Sequence, residues 1–170
     1  AWDQDWEQAA VAYQRALAEF PENAKALNSF ALAKFQLFKF DEALKAYIRA
    51  AKVASDDPVP FEKIAQINER MGNIKEAIQS ALYAAELYLK LHDVDKAVEN
   101  WLVVIQLDPE NLQARSRLAL IHEKTGQVRQ ASIDYIAVVS ILQNKGEPQK
   151  AADVLKHAYQ LDPQSPELQQ

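Results

Sequence analysis

The chain lacks cysteine altogether, has only three glycines in 170 residues, and contains no long apolar run. Without cysteine there is no disulfide, no thiolate-ligated zinc and no thiol nucleophile. A bilayer span needs about 20 consecutive apolar residues, so membrane insertion is not expected. No secretory leader is visible at Ala1, and the expected setting is cytoplasmic. A Gly-rich phosphate loop, a nucleophile elbow and a Rossmann fingerprint are all missing, and no HExxH or other close histidine pair occurs. Cations are not in excess either: 19 Lys and Arg stand against 24 Asp and Glu, a net charge of −5. Binding to nucleic acid rests on clustered cations over phosphates, so nucleic acid is not an expected partner.

What is present is 49% apolar and 25% charged residues, an ordinary balance for a folded chain. Low glycine with abundant Ala, Leu, Gln, Lys and Glu favours helix. The charge is uneven: residues 1–55 hold seven acids and seven bases, and the remainder 17 acids and 12 bases. That asymmetry fits either a basic partner for the later part or plain solubility, and solubility is the simpler account.

The scarce glycines recur in one local setting, Gly72 in RMGNIKEAI and Gly126 in KTGQVRQAS. The offset between them holds elsewhere in the chain. With Gly72 laid on Gly126, Ala77 meets Ala131, Ala97 meets Ala151, and the LDP of Leu107, Asp108 and Pro109 meets that of Leu161, Asp162 and Pro163. A recurrence of this kind marks a repeat architecture. Apolar residues return at steps of three and four, as in Phe40, Ala43, Leu44, Tyr47, Ala50 and Ala51, which is helical spacing. The pattern predicts an all-α fold of about nine helices, over 4–19, 24–37, 41–54, 59–71, 74–91, 94–107, 111–124, 128–144 and 148–161. Pro21, Pro109 and Pro163 stop helices. Asp57 followed by Pro58 reads as an N-cap and first helical residue. Asn73 with Glu76 reads as a capping box. Gly72, Gly126 and Gly146 suit a positive φ just beyond a helix end.

These anchors resemble the tetratricopeptide repeat, a helix–turn–helix unit of about 34 residues. Its second-helix half is matched by Ala9, Tyr13, Ala16 and Pro21, by Ala43, Tyr47 and Ala50, and by Ala97, Trp101, Val104 and Pro109. Its first-helix half is matched by Leu27, Phe30 and Ala31, by Phe61, Ile64 and Ala65, and by Leu118 and Ala119. The resemblance implies a right-handed α-solenoid of antiparallel helix pairs, a single array over residues 1–170. The 54-residue unit reads as three helices rather than two. The helices at 74–91 and 128–144 are therefore expected to close one repeat and open the next. Ser55 stands where the first full unit should end in proline, and Pro58 is expected to serve after a longer turn. Residues 4–19 read as a second helix without its first, and PQSPELQQ as the opening of another helix capped by Ser165. The chain is thus expected to be cut from a longer array, with Trp2, Trp6 or Tyr13 left open for contacts.

Side chains with chemical potential are few. His92 lies in a turn, His122 falls on a packing slot of the repeat, and His157 follows Asp153 by four residues; packing or solvent exposure is expected for each. The acid pairs Asp3/Asp5, Asp56/Asp57 and Asp93/Asp95 sit at helix starts, where caps and the helix dipole account for them. No catalytic, cofactor or metal site is expected. The resemblance instead implies a non-enzymatic scaffold that takes a protein or peptide partner on the concave face of first helices. The positions left free there are Lys25, Asn28, Ser29, Leu32, Phe35 and Gln36 in the first full repeat. Glu62, Lys63, Gln66, Glu69 and Arg70 follow in the next, then Gln113, Ser116, Arg117, Leu120 and Lys124. The carboxylate clamp of some family members would fall on Asn28, Ser29, Leu32, Val59 and Lys63. Lys63 is the sole cation there, so that clamp is not expected. The alternative reading is an architectural module that spaces other domains or self-associates through exposed array ends.

Overall fold

The computed structural model describes residues 2–165, the first three of them by backbone alone. Among the described residues all regular structure is helical, in nine helices: α1 (Trp2–Glu19), α2 (Ala24–Gln36), α3 (Phe40–Val53), α4 (Pro58–Met71), α5 (Ile74–Lys90), α6 (Val94–Leu107), α7 (Leu112–Lys124), α8 (Val128–Asn144) and α9 (Pro148–Leu161). The chain forms two compact units, Ala1–Asn100 and Trp101–Gln170, with the boundary inside α6. Within the first, α1 packs on α2, α2 on α3, α3 on α4 and α4 on α5. Within the second, α8 packs on both α7 and α9. Each of these packed helices has an apolar stripe that it cannot bury alone, and a chain neighbour covers it.

Five of the helix reversals share one geometry. At Gly72 (φ 79°), the Gly72 amide donates to the Glu69 carbonyl at 3.1 Å and the Asn73 amide to the Asn68 carbonyl at 2.8 Å. Gly126 (φ 74°) and Gly146 (φ 73°) repeat the arrangement. A left-handed residue here lets the chain leave the helix while its last carbonyls remain bonded. Two further turns use the same geometry without glycine, at Phe38 (φ 58°) and His92 (φ 62°). Neither was foreseen.

Other helix starts follow side-chain caps. The Val59 amide donates to Asp57 Oδ1 at 3.0 Å, ahead of Pro58. Asn23 accepts from the Ala26 amide at 3.0 Å and Asn111 from the Ala114 amide at 3.1 Å. Asp93 accepts from the Lys96 amide at 3.1 Å. The capping box expected at Asn73 does not form. Its amide turns back and donates to Oδ1 of the buried Asn68 at 3.2 Å, which removes the side chain from the start of α5.

The first unit's core joins Ala31, Ala43, Ala46, Tyr47, Ala51, Ile64 and Ile67, with Phe30, Phe35, Phe40, Leu44 and Phe61 packed around it. Alanines permit close helix approach and the large side chains fill the remaining space. Each fully buried Ile or Leu contributes about 1.5–3 kcal/mol. The second unit's core centres on Val138, Val139, Leu142 and Ala151, with Leu112 and Val154 against it. Ala77, Ala97 and Ala131 are fully buried. On α1, Trp6 is half-buried while Val11 and Tyr13 are exposed, as is Phe20 just after it. The Trp2 side chain and the helix expected after Ser165 lie outside the described residues. Among the described residues no helix is long and apolar enough to cross a membrane.

Candidate interaction face

Helices α2 and α4 are tied to each other near both ends. Near their N-termini, Asp57 uses Oδ1 to cap α4 and Oδ2 to accept from Asn28 Nδ2 of α2 at 3.2 Å. Near their C-termini, the Arg70 guanidinium of α4 lies 4.9 Å from the Phe35 ring centre of α2 and 5.7 Å from that of Phe40. Between these ties stand the residues that the repeat pattern placed on a first-helix face. Lys25, Gln36 and Arg70 are exposed, and Asn28, Ser29, Leu32, Phe35, Glu62, Lys63, Gln66 and Glu69 are half-buried. Asn28 Oδ1 is buried and has no hydrogen-bond partner.

Several of these side chains are already engaged. Phe35 packs against the core. Lys63 Nζ donates to Gln66 Oε1 at 3.0 Å and lies 3.4 Å from Glu62 Oε1, while Gln66 Nε2 donates to Glu62 Oε1 at 3.3 Å. Tyr88 of α5 donates its hydroxyl to Glu62 Oε2 at 2.6 Å. Burial, then the Glu62 carboxylate, pushes the Tyr88 hydroxyl well above its ordinary value. Burial pushes Tyr47 up to about 12, with the Glu62 charge adding to it. A phenolate beside a carboxylate in a dry site is disfavoured twice over. Sequence reasoning missed Tyr88. Its helical position was legible, but its reach to a carboxylate on the preceding helix was not.

In the second unit, the α7 positions divide similarly. Gln113 and Lys124 are exposed, and Ser116, Arg117 and Leu120 are half-buried. The neighbouring histidines are more engaged than their sequence context implied. His122 is not a simple packing residue: its Nδ1 lies 2.6 Å from Oδ2 of the buried Asp134 on α8. His157 on α9 reaches Glu123 of α7 rather than Asp153, with Nε2 at 2.9 Å from Glu123 Oε2, and Tyr135 of α8 donates to the same oxygen at 2.6 Å. Hydrogen bonds from His157 and then Tyr135 hold the Glu123 carboxyl below its ordinary 4.5. Burial and that same carboxylate push the Tyr135 hydroxyl up. His122–Asp134 and Tyr135–Glu123 join α7 to α8, which pack together, and His157–Glu123 links α9 to α7. No group of three or more His, Asp or Glu side chains among the described residues is placed to hold a metal ion.

Among proteins of known structure, the chain resembles the nearly identical TPR-like repeats ascribed to a Podosopora anserina kinesin light chain. The TM-score is 0.57 at 11% identity, over 94% of this chain and 89% of that one. It is also similar to MamA, at 16% identity over 94% and 90% of the two chains and a TM-score of 0.47. YrrB, described as a TPR protein with an unusual peptide-binding site, is 17% identical over 95% and 97%, with a TM-score of 0.43. No curated protein matches the chain in sequence. The tetratricopeptide repeat model matches residues 3–60. Residues 3–60 thus match the tetratricopeptide repeat in sequence, and the likeness over the rest of the chain is one of fold.

Proposed function

We propose that the chain, as one array over residues 1–170, is a non-enzymatic scaffold that holds a protein or peptide segment on the concave, first-helix face of its repeats. The α2/α4 strip carries this reading. Its two helices are fixed relative to each other by Asn28–Asp57 and Phe35–Arg70, so partner-facing side chains start from a set geometry and little ordering is needed on binding. Between the ties are apolar Leu32, the Lys63–Glu62–Gln66 mesh and the unpartnered Asn28 acceptor. A buried acceptor without a partner favours any ligand that brings a donor. The α7 positions Gln113, Ser116, Arg117, Leu120 and Lys124 are the corresponding surface of the second unit.

The test is to pan a random dodecapeptide library on the chain and measure the selected peptides against a Leu32→Glu, Lys63→Glu double variant. Lys45→Glu on the exposed side of α3 is the control. Loss of binding in the double variant alone, with helicity retained, supports the face. Equal binding to all three proteins refutes it.

A second reading is favoured by α1 and the turn after it, where Val11 is 50% and Phe20 63% exposed. Exposed apolar side chains suit self-association. Light scattering over a hundredfold concentration range would show a dimer that Val11→Lys with Phe20→Ser abolishes. A monomer throughout would dismiss it.

A further inference from the structure

We propose that the turn between α2 and α3, together with Arg70, is a docking point for a peptide that presents a carboxylate beside an aromatic or large aliphatic side chain. This rests on the α2/α4 face being the partner-binding face, and adds the chemistry of the partner.

The first observation is Phe38. It holds a left-handed backbone at φ 58° and its side chain is 73% exposed. Three of the other four turns of this geometry have glycine at that position, Gly72, Gly126 and Gly146. Phenylalanine strains the backbone there, and apart from its edge contact with Phe40 the ring is left open to solvent. Strain of this kind collects at binding sites.

The second observation is the company Phe38 keeps. Phe40 meets Phe38 edge to face at 6.2 Å and Phe35 at 5.7 Å. Phe35 and Phe40 are seated on the core, and they hold the exposed Arg70 against their rings. A guanidinium on an aromatic face keeps its in-plane N–H donors available. No carboxylate among the described residues forms an ion pair with Arg70 or with the exposed Lys39; the nearby Glu42 is taken by Lys34 at 2.7 Å.

The site is thus an aromatic surface beside a fixed cation whose acid is missing. A carboxylate from outside completes it, since Arg binds carboxylates through two parallel hydrogen bonds. An adjacent apolar side chain covers the Phe38 ring. Charge complementarity therefore selects an acidic, apolar segment.

The experiment uses the same phage-displayed dodecapeptide library, panned on the full chain, with selected peptides titrated against Phe38→Gly and Arg70→Gln. Glycine suits the Phe38 backbone, so Phe38→Gly is expected to fold, and retained helicity checks it. The expected result is selected sequences with Asp or Glu next to a large apolar residue, weakened about tenfold or more by each variant. Peptides that lack acids, or that ignore Phe38→Gly and Arg70→Gln, overturn the proposal. If those peptides still lose binding to Leu32→Glu, Lys63→Glu, the face stands and only its assigned chemistry falls. Peptides insensitive to every variant sink both, and a library that returns no binder also overturns the proposal.

Discussion

Replacing His92 with glycine should stabilise the protein, and replacing Gly146 with alanine should destabilise it. The two residues occupy the same turn geometry, with φ of 62° and 73°. They lie at matching places in the recurring unit, each between a helix of 17 residues and one of 14 residues. The left-handed conformation costs an L-residue about 1–2 kcal/mol, and histidine stands toward the lower end because it tolerates that region better than most residues. His92 is exposed and its ring makes no hydrogen bond or ion pair, so glycine forfeits no contact. Glycine's greater freedom in the unfolded chain takes back about 0.5–1 kcal/mol. The balance is a small gain for His92→Gly, up to about 0.5 kcal/mol. At Gly146 an added Cβ meets nothing within 4 Å, so the alanine cost is purely conformational, about 1 kcal/mol. In a chain of this size a change of about 1 kcal/mol moves Tm by roughly 2–4 °C. Far-ultraviolet circular dichroism on heating, with urea titration alongside, would read both. The reasoning fails if His92→Gly lowers Tm, or if Gly146→Ala melts like the parent. Phe38→Gly belongs to the same set, but there the relieved strain is offset by the lost Phe40 contact, worth about 0.5–1.5 kcal/mol, and a change near zero is expected.

Ala97 is fully buried, and Ala97→Leu should cost about 1–3 kcal/mol through overpacking, seen as a lower urea midpoint. His122→Leu should cost more than Asp134→Leu. The first leaves the more deeply buried Asp134 carboxyl without its partner, at about 3–5 kcal/mol; the second leaves the His122 ring, which solvent reaches more readily. Equal losses on denaturant titration would contradict the pairing. Tyr47 is raised to about 12, so its contribution is complete below the ordinary tyrosine value of about 10 and is lost as pH rises from there toward 12. Stability of the parent should therefore fall over that window more steeply than that of Tyr47→Phe. Glu123 shifts the other way. Its contribution is full above the ordinary 4.5 and is lost as pH falls below it, so the stability gap between the parent and Glu123→Gln should close in acid.

Much of the fold was written in short-range signals. Steps of three and four set the helices, and Pro58, Gly72, Gly126 and Gly146 placed their ends within a residue or two. Asp57 capped as its neighbour Pro58 implied. Signals that depend on register between helices were not legible. His122 with Asp134, and Glu62 with Tyr88, meet only because two helices stop at particular heights along each other, which periodicity does not specify. Phe38 and His92 were missed for another reason: turn geometry was inferred from residue type, and neither residue announces a left-handed backbone. Spacing could have found them. Phe38 stands one tetratricopeptide unit before Gly72, and His92 stands to Gly146 as Gly72 stands to Gly126. Asn73 misled because its sequence fits a cap while a buried neighbour, Asn68, offered its amide a better acceptor.

The position of α8 between α7 and α9 bears on how the protein is made. A growing chain that has emerged only as far as Asn144 can pair α7 with α8, yet Val138, Val139 and Leu142 still await Ala151 and Val154. During that interval the nascent hairpin carries a greasy seam that chaperones or other unfinished chains can capture. Synthesis of α9, Pro148–Leu161, is the step that brings Ala151 and Val154 to it.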